Sequence, residues 1–387
     1  MKRREGSITQ RGPTSWLLKF ELGSENGKRK IRYETVRAAN RAAAQRILTA
    51  RLADRDAGTL LQPSKTTVVQ LANDTITDAS YTHKFDLRAR EIVRLHVAPF
   101  FGTKTAQEIR PADISAWQRE LRMRIYRNQP LAAATLRQIS KLLRAAFKRA
   151  AKEQLIARDP TVSVDLPKAE RQVMTILTAP QLAELLKKLT ADTRLSMSRL
   201  MPLTFAAAHT GARLGELAAM RWQDIDFTAA EWNLQHSFEQ IGRELAIRPC
   251  KNAASRRVIS LAPGLVAFLK DYKTTQAIRL LAQGHRQVPS DLVFVNGRGA
   301  AVSPNTTSSN WSKALRRLSF EPQIKFHSLR HWHASVLIAS RINILEISRR
   351  LGHANVNTTL TIYGHLMDRD DRAAAAAIDA KLAGHWE

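Results

Sequence analysis

The stretch RRLGHANVNTTLTIYGHL, Arg349–Leu366, decides how the last part of this chain is read. Gly352 follows a short amphipathic run and is the residue type that closes a helix. His353 comes next. A second short helix then ends on Tyr363, one of only five tyrosines in the sequence. Taken alone, Tyr363 is an aromatic packed on a late helix. The polar residues upstream change that reading.

Just before this stretch, FHSLRHWHAS (Phe326–Ser335) places His327 and Arg330 three residues apart, on one helical face. His327, His331 and His333 raise the question of a metal. The 327/331 pair lacks the interposed Glu of an HExxH helix, and carboxylates nearby are few, so no metal is expected. HTGARLGELAAMRWQDID (His209–Asp226) carries Arg213 and Glu216 among Ala and Leu, spaced to pair on a helix. PCKNAASRRVISL (Pro249–Leu261) sets Lys251 at the tip of an expected hairpin between ELAIRPC and RRVISL. Each feature has an ordinary explanation: a surface ion pair, a loop lysine, a core histidine. Trp222 and Trp332 read as core.

Upstream, LTAPQLAELLKKL opens a helix with Thr178 as N-cap, Gln181 completing a capping box and Pro180 in the first turn. DLPKAERQVMTIL (Asp165–Leu177) reads as a linker, so a domain boundary falls near residue 172. A helix is expected from Leu131 to Gln154. Its core stripe is Leu136, Ile139, Leu143, Phe147 and Ala150. Arg137, Lys141, Arg144 and Lys148 line another face, a row of cations suited to a phosphate backbone. GTLLQPSK (Gly58–Lys65) is a second linker. The first 60 residues read as β-β-β-α. SWLLKFEL puts Trp16, Leu18, Phe20 and Leu22 on one strand face. KRKIRYET alternates apolar Ile31 and Tyr33 with Lys30, Arg32 and Glu34, so its charged face is the expected DNA contact. SENG marks the turn between these strands. The fold class is mainly α with small β elements (α+β): a three-stranded sheet plus helix, a helical middle domain, and a mainly helical last domain with a β segment around residues 230–262.

Composition bounds the partners. The chain has 387 residues and a formal charge of +27. The excess is spread: 14 Lys/Arg against 6 Asp/Glu in residues 1–60, 18 against 10 in 61–166, and 29 against 18 in 167–387. A basic tail would concentrate it, so several segments are expected to touch a polyanion, most simply nucleic acid. No apolar run approaches the roughly 20 residues a membrane span needs. No signal peptide is expected, because no apolar stretch follows the basic start. The single cysteine, Cys250, excludes an intrachain disulfide and fits a reducing cytosol.

Together the isolated features form an ordered set: Arg213, Lys251, His327, Arg330, His353, Tyr363. That order, with TGARLGEL, KNAASRRVISL, FHSLRHWHAS and LGHANVNTTLTIYGHL, resembles the tyrosine recombinase (phage integrase) family of site-specific DNA recombinases. The resemblance implies cutting and rejoining of DNA through a 3′-phosphotyrosyl intermediate, with Tyr363 as nucleophile. It implies Arg213, Arg330 and His353 on the phosphate, Lys251 as general acid and His327 as proton acceptor or orienting group. Glu216 is read as structural support. The ester retains the bond energy, so neither a metal nor ATP is implied as cofactor. The domains implied are an arm-type DNA-binding domain over 1–60, a core-binding (SAM-like) domain over 64–166 and a catalytic domain with a C-terminal tail over 172–387. The tail is expected to form a short amphipathic helix against a neighbouring protomer. The implied partners are double-stranded DNA with core-type and arm-type attachment sites, a homotetramer on that DNA, a DNA-bending protein and an excisionase. The implied place is the bacterial cytoplasm, at the nucleoid. The alternatives are a type IB topoisomerase, an Xer-type resolving recombinase or a non-catalytic DNA-binding regulator. The N-terminal extension favours the integrase of a prophage or mobile element over the first two.

Overall fold

The computed structural model describes residues 6–25, 28–57, 60–61, 63–126, 128–168, 175–192, 199–241, 244–250, 252–321, 324–366, 376 and 378–381. The chain forms two compact units, Met1–Arg171 and Gln172–Glu387.

The first unit begins with an antiparallel sheet, β1 (Gly6–Gly12), β2 (Ser15–Glu25) and β3 (Lys28–Arg37), followed by helix α1 (Arg41–Asp56). Trp16, Leu18 and Phe20 alternate along β2 and are buried against Ala44 and Leu48 of α1. Asn40 caps α1 by accepting from the Ala43 amide at 2.9 Å. The register corrects the reading of β3. Trp16 pairs with Val36, Leu18 with Glu34 and Phe20 with Arg32, so Arg32 and Glu34 share the face that lies under the helix. Glu34 there accepts from Arg51 at 3.0 Å, and Arg32 Nη1 donates to the Leu61 carbonyl at 2.6 Å. Ile31 and Tyr33 point outward and are exposed, with the Lys19 ammonium 5.6 Å from the Tyr33 ring centre. Lys30 is exposed. The cause is the partner strand: alternation within β3 separates its two faces but does not say which one β2 puts against α1. The Asn26-Gly27 turn lies outside the described residues.

The same unit continues with α2 (Val68–Asp78), α3 (His83–Ile92), a π turn over Val93–Val97, α4 (Ala98–Phe101), α5 (Pro111–Met123), the short ribbon β4 (Ile125–Tyr126) with β5 (Gln129–Pro130), and α6 (Ala133–Lys152). Their apolar faces meet around Phe101, Trp117 and Phe147. Burying each such ring contributes on the order of 2 kcal/mol. Leu136, Ile139, Leu143, Phe147 and Ala150 form the buried stripe of α6, and Arg137, Lys141 and Lys148 are exposed. Arg144 departs from that row. Its Nη2 donates to the carbonyls of Thr161 and Val164, fastening the segment after α6 to the helix.

The second unit opens with α7 (Ala179–Ala191), capped by the Thr178–Gln181 box. There follow α8 (Leu200–Thr210), α9 (Leu214–Ala218), β6 (Ile225–Asp226), β7 (Glu231–Leu234), β8 (His236–Ile241), β9 (Glu244–Pro249), β10 (Arg257–Ser260), α10 (Pro263–Leu281), α11 (Pro304–Arg317), α12 (Ser328–Ala339), α13 (Ile344–Leu351) and α14 (Val356–Tyr363). Trp222, Trp232, Trp311 and Phe294 anchor its main core, and Trp332 packs on it half-buried. The indole of Trp222 donates to Gln276 at 2.6 Å. The strands correct a second expectation. β9 pairs with β8, and β10 pairs with β7 in a β10-β7-β6 sheet, so ELAIRPC and RRVISL belong to different sheets and do not form one hairpin. Lys251, between them in sequence, lies outside the described residues. So does most of the C-terminal tail, although 378–381 is helical.

Candidate active site

The site is built around the C-terminal end of α13. A helix end leaves carbonyls without partners. Here three consecutive ones are each taken by an arginine from elsewhere in the chain. Arg257 Nε donates to the Arg350 carbonyl at 2.6 Å, Arg330 Nη2 to Leu351 at 2.6 Å, and Arg213 Nη2 to Gly352 at 3.3 Å. Cations at this end also complement the helix dipole. Gly352 ends the helix with φ +68°, and an added Cβ would sit 2.6 Å from Arg257 Nη1.

Arg213 is the N-cap residue of α9. Glu216 accepts from its backbone amide at 2.9 Å and from its Nη1 at 2.7 Å, and takes Arg257 Nη2 at 3.1 Å. Glu216 is 2% exposed. Burial pushes its carboxyl up, but Arg257 and Arg213 together outweigh it, so the net shift is downward and the group is ionised. Arg330, on α12, is 2% exposed and also donates from Nη1 to the Gly211 carbonyl at 2.8 Å. Burial, then the charge of Arg213, pulls it down to about 9. Two guanidiniums that repel one another through a low-dielectric site form a seat for an anion.

His353 holds its Nδ1 2.7 Å from the hydroxyl of buried Thr359. Burial and the three arginines push it down to about 4, so it is neutral at pH 7. Tyr363 is 1% exposed and packs on Ala334, Ile347 and Leu351. Burial raises its hydroxyl to about 12, against the opposing pull of Arg330. Ionising it is therefore harder than for a free tyrosine by on the order of 3 kcal/mol. Its hydroxyl lies 2.6 Å from Nδ1 of His331. His327, at the start of α12, is exposed and stands edge-on to His331, ring centres 4.8 Å apart. Burial of part of its ring, then the charges around it, pushes it down, tempered by solvent. It borders a pocket of about 260 Å³ with Ala212, Trp311 and Phe326.

The structure thus gathers Arg213, Glu216, Arg330, His353 and Tyr363, with His327 at the edge. Sequence reasoning missed Arg257, His331 and Thr359. Arg257 and His331 both lie in the motif stretches, but nothing in their spacing separates them from their neighbours. His333, the third histidine of that helix, is structural: Nδ1 meets the Ala208 carbonyl at 2.8 Å, and Nε2 accepts from Arg350 at 3.1 Å.

A model of the phage integrase family matches residues 175–369, half of the chain. The chain belongs to the phage integrase family. It is a site-specific tyrosine recombinase, an enzyme that cuts and rejoins DNA strands. The recombinase is 25% identical to the ICEBs1 integrase of Bacillus subtilis over 293 residues, 75% of this chain and 76% of that one. It is also 25% identical to a XerC-like tyrosine recombinase of Caldanaerobacter subterraneus over 265 residues, 65% and 67% of the two chains. Among solved structures it shares the fold of the Tn1549 transposon integrase in complex with a circular intermediate DNA, with TM-score 0.69 at 17% identity over 82% of this chain and all of that one. A lambda integrase dimer bound to a COC′ core site matches with TM-score 0.56 at 16% identity over 95% of each chain.

Proposed function

We propose that this recombinase integrates a prophage or other mobile element, with Tyr363 attacking a DNA phosphodiester held by Arg213 and Arg330. The observation that carries the assignment is the paired anchoring of the two arginines on the Leu351 and Gly352 carbonyls, with Tyr363 in the field of Arg330. Each guanidinium keeps donors for the non-bridging oxygens, where charge builds in the transition state. His353 adds a third donor once Thr359 has fixed its ring. Glu216 and Arg257 hold the frame. Lys251 protonates the departing 5′-oxygen, and His327 closes the edge of the site. Attack leaves a 3′-phosphotyrosyl ester and a free 5′-hydroxyl. Attack by the partner strand's 5′-hydroxyl then rejoins the DNA.

Residues 1–60 serve as the arm-type DNA-binding domain, 64–166 as the core-binding domain and 172–387 as the catalytic domain. Lys30 and the exposed row Arg137, Lys141 and Lys148 contact phosphates. Arg32 and Arg144, bonded to carbonyls within the fold, are left out of that set. The enzyme works as a tetramer on DNA in the cytoplasm, with a DNA-bending protein and an excisionase setting direction. The solved lambda integrase tetramer on a Holliday junction supports this arrangement by fold.

A nicked suicide duplex carrying the mapped attachment junction tests the nucleophile. Wild type should accumulate a covalent protein–DNA complex, and Tyr363→Phe should form none. A complex that persists in Tyr363→Phe refutes the assignment.

A further inference from the structure

We propose that His331 is the group that accepts the Tyr363 proton, whereas the family resemblance offers His327 as proton acceptor or orienting group. The inference rests on the reading of Tyr363 as nucleophile. The ring that meets the Tyr363 hydroxyl is His331, with Nδ1 2.6 Å from the oxygen. His331 is buried and follows Arg330 on α12, so one turn of helix presents both a phosphate clamp and a proton acceptor. To accept from a phenol, Nδ1 must carry its lone pair, which places the ring proton on Nε2. Among the described residues, Arg330, His327, His353 and Tyr363 are the titratable or charged groups that face it. Burial and the Arg330 charge hold the imidazole neutral at pH 7, ready to accept.

The step balances. As the Tyr363 oxygen bonds to phosphorus, its proton passes to Nδ1, the bond from phosphorus to the 5′-oxygen breaks, and that oxygen takes a proton from Lys251. In rejoining, the incoming 5′-hydroxyl attacks phosphorus and gives its proton back to the neutral Lys251 amine, the phosphotyrosyl bond breaks, and the His331 imidazolium returns its proton to Tyr363. The imidazolium formed beside Arg330 is offset by the phosphate bound there. The buried hydroxyl needs such an acceptor more than a free tyrosine does.

The whole chain is tested on the nicked suicide duplex. His331→Asn keeps an oxygen near the Nδ1 position that can accept a hydrogen bond but cannot take the proton. It should form the covalent complex about 10²–10⁴-fold more slowly at pH 7. The defect should narrow as pH rises, because hydroxide then ionises the phenol directly. A rate at or above wild type means that His331 packs or restrains Tyr363, and overturns the proposal. A defect that does not change with pH means a structural role, and also overturns it. A measurement on wild type needs no variant to fold: ¹⁵N-histidine NMR should find His331 with its proton on Nε2, and a proton on Nδ1 overturns the proposal. Tyr363→Phe separates the two claims. A covalent complex in that variant sinks the nucleophile reading itself, whereas its absence beside a fully active His331→Asn sinks only this one.

Discussion

Glu216 is the residue on which the arginine frame depends. It is the acid that Arg213 and Arg257 share. Glu216→Gln leaves Arg257 nearly buried beside a neutral amide. Removing one partner of a buried ion pair costs about 3 kcal/mol. Urea unfolding of the full chain should show that loss in the transition of the second unit. The pH dependence carries a definite sign. The folded carboxyl titrates below its ordinary value, so its contribution is complete above about pH 4.5 and is lost as pH falls through the folded value. Wild type and Glu216→Gln should therefore differ fully at pH 7 and converge in acid. A gap that stays constant down to pH 3 contradicts this. At this scale the sequence was legible in the placement of Arg213, Arg330 and Tyr363, unusual residues in apolar runs that the fold brings to one site. The place of His331 was illegible because its contact with Tyr363 is one hydrogen bond across 32 residues. Two histidines of FHSLRHWHAS look alike until the helix turns one toward the tyrosine and the other toward Ala208.

Among the elements, α13 has the most consequential end. Gly352 supplies both the left-handed turn and a carbonyl for Arg213. An alanine there costs about 1–2 kcal/mol for its backbone conformation. It also drives a Cβ into Arg257 Nη1. Gly352→Ala should lower the melting temperature. It should also slow covalent-complex formation at temperatures where both proteins stay folded, because the Leu351 and Gly352 carbonyls hold Arg330 and Arg213, the proposed phosphate clamps. A melting shift with an unchanged rate would break the link between the helix end and the clamps. Helices with caps and stripes, such as α6 and α7, were readable from local sequence. β3 was readable as a strand, but its buried face was not, since that face is chosen by its register with β2 and by α1. The connection after β9 was misread for a similar reason: two neighbouring strands with hairpin spacing pair instead with β8 and β7.

For the whole molecule, the charge of +27 makes DNA affinity a steep function of salt. Replacing Arg137, Lys141 and Lys148 together by alanine should weaken binding about equally across sequences. It should also reduce the slope of log affinity against log salt by about 3, one for each phosphate that is no longer neutralised. Fluorescence anisotropy on duplexes at several salt concentrations reads both quantities, and an unchanged slope removes this face from the interface. The clasp on α13 bears on the same scale. Its three arginines stand 93, 21 and 139 residues from the carbonyls they hold. The Arg330 contact is local, but the clasp is complete only when the segments carrying Arg213 and Arg257 have also reached the end of α13. A chain that is still folding, or has partly melted, carries its tyrosine but no seat for a phosphate. With Tyr363 as the proposed nucleophile, the fold acts as a safety interlock on a genome-damaging group, and cutting competence should vanish in one cooperative step, ahead of or together with the loss of helix content, never after it.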